Sequence, residues 1–141
     1  MKNKSVTLIM LVGLMALLLA ACDGAGDTAS DALDGTSWSL TAYRKTRPIP
    51  GTTLTAAFED GEVRGSAGCN TYGGPYQVSG DTITVGVLAI TEMGCMEPEG
   101  VLEQETMFIE YLRDAQSYRL VDGQLQIISS DGETLTFVPQ D

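Results

Sequence analysis

Twelve residues, G-S-A-G-C-N-T-Y-G-G-P-Y from Gly65 to Tyr76, bring together a cysteine, an asparagine, two tyrosines and four glycines. A thiol followed by a polar residue on a chain that turns freely suggests a nucleophile or a metal ligand. Either role needs company. A cysteine nucleophile needs a base beside it, and a zinc site needs further nitrogen or sulfur ligands. The chain has no histidine and three cysteines. That removes Ser-His-Asp and Cys-His catalysis and all imidazole ligands. No phosphate-binding loop or dinucleotide glycine pattern occurs. Nineteen Asp and Glu residues offer many carboxylate pairs, but no spacing singles one out. The sequence therefore points to no catalytic residue, no metal and no cofactor. A carboxylate-based hydrolase is the weakest of the readings left open.

The first segment is of another kind. Lys2 and Lys4 precede Val6–Ala21, an almost wholly apolar run that ends Leu19-Ala20-Ala21-Cys22. A basic start, an apolar core and small residues before a cut are the parts of an export signal. The run is shorter than the roughly 20 residues that a spanning helix prefers. Leu-Ala-Ala-Cys resembles the lipobox of bacterial lipoproteins. That resemblance implies cleavage after residue 21 and lipid on the Cys22 thiol, with two or three acyl chains as the membrane anchor. The protein is then exported and held on the periplasmic or cell-surface side of the membrane. Asp23 follows the cysteine, a placement associated in enteric bacteria with retention at the inner membrane.

Without residues 1–21 the chain keeps six basic and nineteen acidic residues, a formal charge of −13. Such a surface repels phosphate backbones and anionic headgroups. Nucleic acid is not an expected partner, and the expected link to the membrane is the lipid. With Cys22 lipidated, Cys69 and Cys95 remain, and an exported compartment permits them to pair.

The elements that would position these residues follow from periodicity. Asp23–Asp34 (D-G-A-G-D-T-A-S-D-A-L-D) is small, polar and acidic, and residues 22–34 read as a flexible tether. Its aspartates lack the spacing of a calcium loop. A domain then runs over residues 35–141. Trp38, Leu40 and Ala42 alternate with polar neighbours, as do Leu54, Ala56 and Phe58, Ile83 and Val85, Leu125 and Ile127, and Leu135 and Phe137. Period two marks half-buried strands. Asp60-Gly61, Asp122-Gly123 and Asp131-Gly132 predict type I′ hairpin turns, and Gly80-Asp81 a related turn. Short strands with tight turns imply antiparallel pairing. One helix is predicted from Pro98 to Asp114, with Val101, Leu102, Phe108, Ile109, Leu112 and Ala115 near its apolar face. Glu99, Glu103 and Glu105 then stand near the positive end of its dipole and Arg113 near the negative end. Arg44–Gly51 (R-K-T-R-P-I-P-G) holds half the basic residues outside the signal and reads as a loop, either solvated or a contact site.

Trp38-Ser39-Leu40, Gly68-Cys69-Asn70-Thr71-Tyr72-Gly73-Gly74, Tyr76, Thr91-Glu92-Met93-Gly94-Cys95, the segment from Glu103 to Leu112, Gly123-Gln124-Leu125 and Gly132-Glu133-Thr134-Leu135-Thr136-Phe137 together resemble the META domain family, which includes HslJ-like heat-shock lipoproteins. The resemblance spans about Leu33 to Val138 and rests on the Gly-Cys-Asn and Thr-x-Met-x-Cys elements. Gly94 stands where the family often has Ala. The implied fold is mainly β (α+β), a small antiparallel curled or barrel-like sheet with one helix. The family is mostly exported, often lipid-anchored, linked to envelope stress, and has no enzymatic activity attached to it.

The motif positions Gly68, Cys69, Asn70, Tyr72, Gly73, Thr91, Met93 and Cys95 then read as architecture. A Cys69–Cys95 disulfide is expected, with Gly68 and Asn70 giving the backbone freedom around it. Gly73-Gly74-Pro75 is expected to form the turn into a strand at Tyr76. The function expected is a binding or interaction module on the envelope, with an unidentified envelope protein as partner. A carrier of a small apolar ligand is the alternative, with Trp38, Phe58, Tyr76 and Phe108 either lining its cavity or filling the core.

Overall fold

The computed structural model describes residues 31–140, so the signal segment and Cys22 lie outside it. Among the described residues nine strands follow one another: β1 (Thr36–Tyr43), β2 (Thr55–Glu59), β3 (Glu62–Ser66), β4 (Thr71–Ser79), β5 (Thr82–Val85), β6 (Ala89–Ile90), then, after the one described helix α1 (Val101–Arg113), β7 (Ala115–Val121), β8 (Gln124–Ser129) and β9 (Thr134–Pro139). Every strand pairing is antiparallel. The order β3-β2-β1-β9-β8-β7-β5-β4 closes when β3 pairs with β4, which makes an eight-stranded barrel. The short β6 continues beyond β5 along the same edge of β4. The closure is thinnest between β5 and β7, whose register is carried by Thr82 opposite Ser117.

The alternations explain the inside of the barrel. Leu54, Ala56, Phe58, Ile83, Leu125, Ile127, Leu135 and Phe137 point inward and are at most 2% exposed, while their threonine and glutamine neighbours line the outside. An eight-stranded barrel is just wide enough for side chains to fill. Phe58 meets Tyr76 edge-on at 4.9 Å, Phe108 meets Tyr72 edge-on at 5.7 Å, and Phe137 lies 6.4 Å from Phe108. The aromatics that left core and cavity open in the sequence are core.

Tight turns gather at one end and long connections at the other. Asp60-Gly61 and Asp122-Gly123 have positive φ at both residues, as a type I′ turn requires, and Gly80 is positive before Asp81. Asp131-Gly132 departs from expectation, because only Gly132 is left-handed. There the Asp131 carboxylate accepts from Ser129 Oγ and from Glu133 N–H, which builds a longer loop. At the turn end the chain before β1 closes the barrel. Leu33 is fully buried in the main core, and Gly35 N–H donates to Phe58 O. Residues 31–34, read from composition as the end of the tether, are therefore part of the packed domain; residues 22–30 lie outside the described region. At the loop end, α1 closes the barrel with Phe108.

Two local expectations are corrected. Gly73-Gly74-Pro75 is not a turn but the middle of β4, paired with Glu62, Val63 and Arg64. Gly74 is needed because the chain crosses there: a Cβ would stand 2.5 Å from Val87 O and 3.2 Å from Leu88 Cα. The helix starts at Val101, not Pro98, because Pro98–Val101 form a turn and Gly100 caps the helix with φ 85°. Glu99 thus precedes the helix, while Glu103 does lie in its first turn and Arg113 in its last. Ala115 opens β7 rather than extending the helix.

Candidate functional site

The residues singled out in the sequence converge at the loop end. The connection from β3 to β4 is four residues, Ala67–Asn70, and Ala67 N–H donates to Asn70 O at 2.7 Å. Gly68 has φ 111°, a value that side chains resist, so its expected backbone role is found. Cys69 is bonded to Cys95 with 5.9 Å between their Cα atoms, as the sequence predicted. Asn70 differs from expectation. Its φ is not positive, and it is buried at 3% exposure. It works through its side chain.

Asn70 uses every hydrogen-bonding atom of that side chain. Oδ1 accepts from Met93 N–H at 2.6 Å and from Thr91 Oγ1 at 2.9 Å. Nδ2 donates to Glu105 Oε1 at 2.7 Å and to Met93 O at 3.2 Å. The Asn70 backbone N–H donates to Glu105 Oε2 at 2.6 Å. Thr91 Oγ1 also accepts from Thr71 N–H at 3.1 Å. Glu105, on α1, is 8% exposed and has no cationic partner among the described residues, where the amide donors of Asn70 are what satisfy its carboxylate. Three distant pieces of chain (the β3–β4 loop, residues 91–95 and α1) are thus tied by one asparagine, one carboxylate and one disulfide. Among the described residues no buried side-chain polar atom lacks a partner.

The other motif residues lie apart from this clasp. Tyr72 projects into the core, with its hydroxyl donating to Thr55 O at 2.7 Å. Burial pushes its phenol well above the usual range. Gly73 sits in β4 opposite Arg64. Glu105 was not among the motif residues, although the sequence carried a signal for it. Val101, Glu105 and Ile109 recur every four residues, as do Gln104, Phe108 and Leu112, and a polar residue on such a stripe needs a buried partner.

Gln104 is the second such residue. It is 2% exposed; Oε1 accepts from Ile49 N–H at 2.6 Å, and Nε2 donates to Thr52 Oγ1 at 3.0 Å. It fixes the basic loop between β1 and β2 to the helix. An open groove of about 460 Å³ runs along that loop, lined by Leu40, Thr41 and residues Arg47–Thr52.

The model of the META domain matches residues 31–141. The chain belongs to the META domain family. That match includes Leu33, which is buried in the barrel core. Among solved structures, the META domain here is similar to a protein from Burkholderia xenovorans determined by NMR, with 30% identity and a TM-score of 0.62 over 77% of this chain and 83% of that one. A second NMR structure is 23% identical, with a TM-score of 0.62 over 75% and 90% of the two chains. A DUF4847 family protein from Bacteroides vulgatus ATCC 8482 shares the fold at 16% identity, with a TM-score of 0.55 over 80% and 99%. A search of curated proteins finds no match.

Proposed function

We propose that this META-domain protein is a lipid-anchored, non-catalytic interaction module of the cell envelope that contributes to stress tolerance. One observation carries the reading: the family motif is engaged in architecture. Asn70, Glu105, Thr91 and the Cys69–Cys95 bridge engage one another, and the β1–β2 loop lies outside this interlock. Loops on a rigid scaffold are where binding residues concentrate. The apolar-ligand carrier is less well supported, because the barrel interior is occupied by Phe58, Phe108, Phe137 and the aliphatic side chains around them.

The anchor is supported by the Leu19-Ala20-Ala21-Cys22 sequence. Labelling cells with radioactive palmitate tests it. Label and detergent-phase partitioning are expected for the wild type and lost in Cys22→Ala; unlabelled wild-type protein would refute the anchor. For the module itself, photoreactive side chains placed over the barrel surface in living cells are expected to give discrete crosslinked species. Their absence from every face, together with unchanged stress tolerance of a deletion strain, would refute it.

A further inference from the structure

Acidic residues far outnumber basic ones, and the few cations are largely engaged. Arg64 pairs with Glu59 at 3.0 Å and Arg44 with Glu133 at 3.5 Å. Arg113 donates to Leu88 O, and Arg119 to Gln126 Oε1. Among the described residues this leaves Lys45 and Arg47, both exposed, as the cations with neither an ion pair nor a side-chain hydrogen bond. They sit two positions apart beside the groove of the β1–β2 loop.

That loop is built, not slack. Tyr43 and Thr46 exchange backbone hydrogen bonds at 2.8 and 2.7 Å, which closes a two-residue turn on Arg44 and Lys45. Both hold left-handed backbone, with φ 46° and 66°. Such turns favour Asn-Gly, and non-glycine residues held there mark places where the surroundings over-determine the chain. Gln104 then holds Ile49 and Thr52 from the buried side. Pro48 and Pro50 stiffen the wall of the groove, and Leu40, Pro48 and Ile49 give it apolar surface.

Resting on the interaction-module reading, we propose that this groove is its docking surface, and that the occupant is an acidic peptide segment of a partner protein carrying an apolar residue. The carboxylates would meet Lys45 and Arg47 while the apolar side chain enters beside Ile49. Charge complementarity selects the occupant. A chain of formal charge −13 outside its signal repels an acidic segment from its other faces and admits it at the two free cations. A basic partner would have the opposite preference.

The test uses the full-length protein in nanodiscs and a fluorescein-labelled peptide alternating Glu and Leu. Saturable binding is expected, weakened at least about tenfold by Lys45→Glu with Arg47→Glu, and weakened with rising salt. Ile49→Ser is expected to weaken the Glu-Leu peptide severalfold but not polyglutamate. Arg64→Glu with Arg119→Glu, the same double charge reversal placed on β3 and β7, is expected to leave affinity unchanged. Equal loss in that variant would reduce the effect to net charge and overturn the proposal. So would no binding by the wild type, tighter binding of inorganic polyphosphate, or self-association of the protein at the same groove. In cells, a photoreactive side chain at Thr46 is expected to crosslink where one at Gln126 does not. Crosslinks from other faces with none from Thr46 would overturn this docking surface alone, whereas none from any face would remove the module reading as well.

Discussion

The Glu105 carboxylate grips Asn70 twice, accepting its backbone N–H at 2.6 Å and its side-chain Nδ2–H at 2.7 Å. One helical side chain thereby fixes both the path and the rotamer of the residue after Cys69. Asn70 in turn presents Oδ1 to Met93 and Thr91, so the position of residues 91–95 depends on the helix through a single amide.

Glu105→Ala should therefore cost about 3 kcal/mol, the order expected when one partner of a buried charged hydrogen-bond pair is removed. Glu105→Gln keeps the shape but turns one acceptor into an NH₂ that faces a donor of Asn70, and about 2 kcal/mol is expected. Urea unfolding followed by the fluorescence of Trp38 measures both. Stability within 0.5 kcal/mol of wild type, on the order of ordinary surface changes, would show the grip to be dispensable.

The disulfide acts on the same segments by a different physical route. It closes a loop of 27 residues counting both cysteines, and in the chain-entropy model this restricts the unfolded chain by about 3.5 kcal/mol. Cys69→Ser with Cys95→Ser should lower stability by up to that amount while leaving the native far-ultraviolet circular dichroism spectrum intact, because Asn70 still positions residues 91–93. Loss of the folded spectrum at 25 °C would show instead that the polar clasp cannot hold the segment without the bridge.

The barrel was legible where each strand had threonine or glutamine to alternate with apolar residues, as in Thr134–Pro139. It was less legible in β3, which has one inward apolar residue, Val63, and in β4, where Gly-Gly-Pro imitates a turn. The reason for that glycine is a backbone crossing by Val87 and Leu88, which no local pattern records. The Cys69–Cys95 half of the clasp was legible because few pairings were open. Glu105 was read as a dipole charge because acidic residues near a helix start usually are that; its burial follows from where the β3–β4 loop lands.

Leu33 is the clearest case of a single side chain outweighing composition. One leucine in an acidic run reads as tether, yet it closes the turn end of the barrel with no exposed surface. Leu33→Ala should cost about 3 kcal/mol, as for other buried leucines. A chain starting at Gly35 should lose at least as much, since it also removes the Asp34 carboxylate that accepts from Asp60 N–H at 2.8 Å. Thermal unfolding of the two proteins beside one starting at Asp31 tests this, and equal melting temperatures for all three would return residues 31–34 to the tether.

Alkaline pH should probe the same end. Tyr76 is buried, and its hydroxyl donates to Asp31 Oδ2 at 2.5 Å. Burial raises its phenol first, and the Asp31 carboxylate raises it further. Tyr72 and Tyr118 are raised as well, chiefly by burial. The folded chain thus holds these protons more tightly than the unfolded chain, whose tyrosines titrate near 10. Their contribution is complete below pH 10 and declines as pH rises toward the folded values, because the unfolded state then sheds protons that the folded state retains. Stability should fall steeply above about pH 10. In Tyr72→Phe with Tyr76→Phe the fall should be shallower, although the variant starts from lower stability at pH 7 for want of two hydrogen bonds. Urea midpoints measured from pH 7 to pH 11 check the slope, and parallel curves for variant and wild type would mean that the two phenols do not carry the alkaline transition.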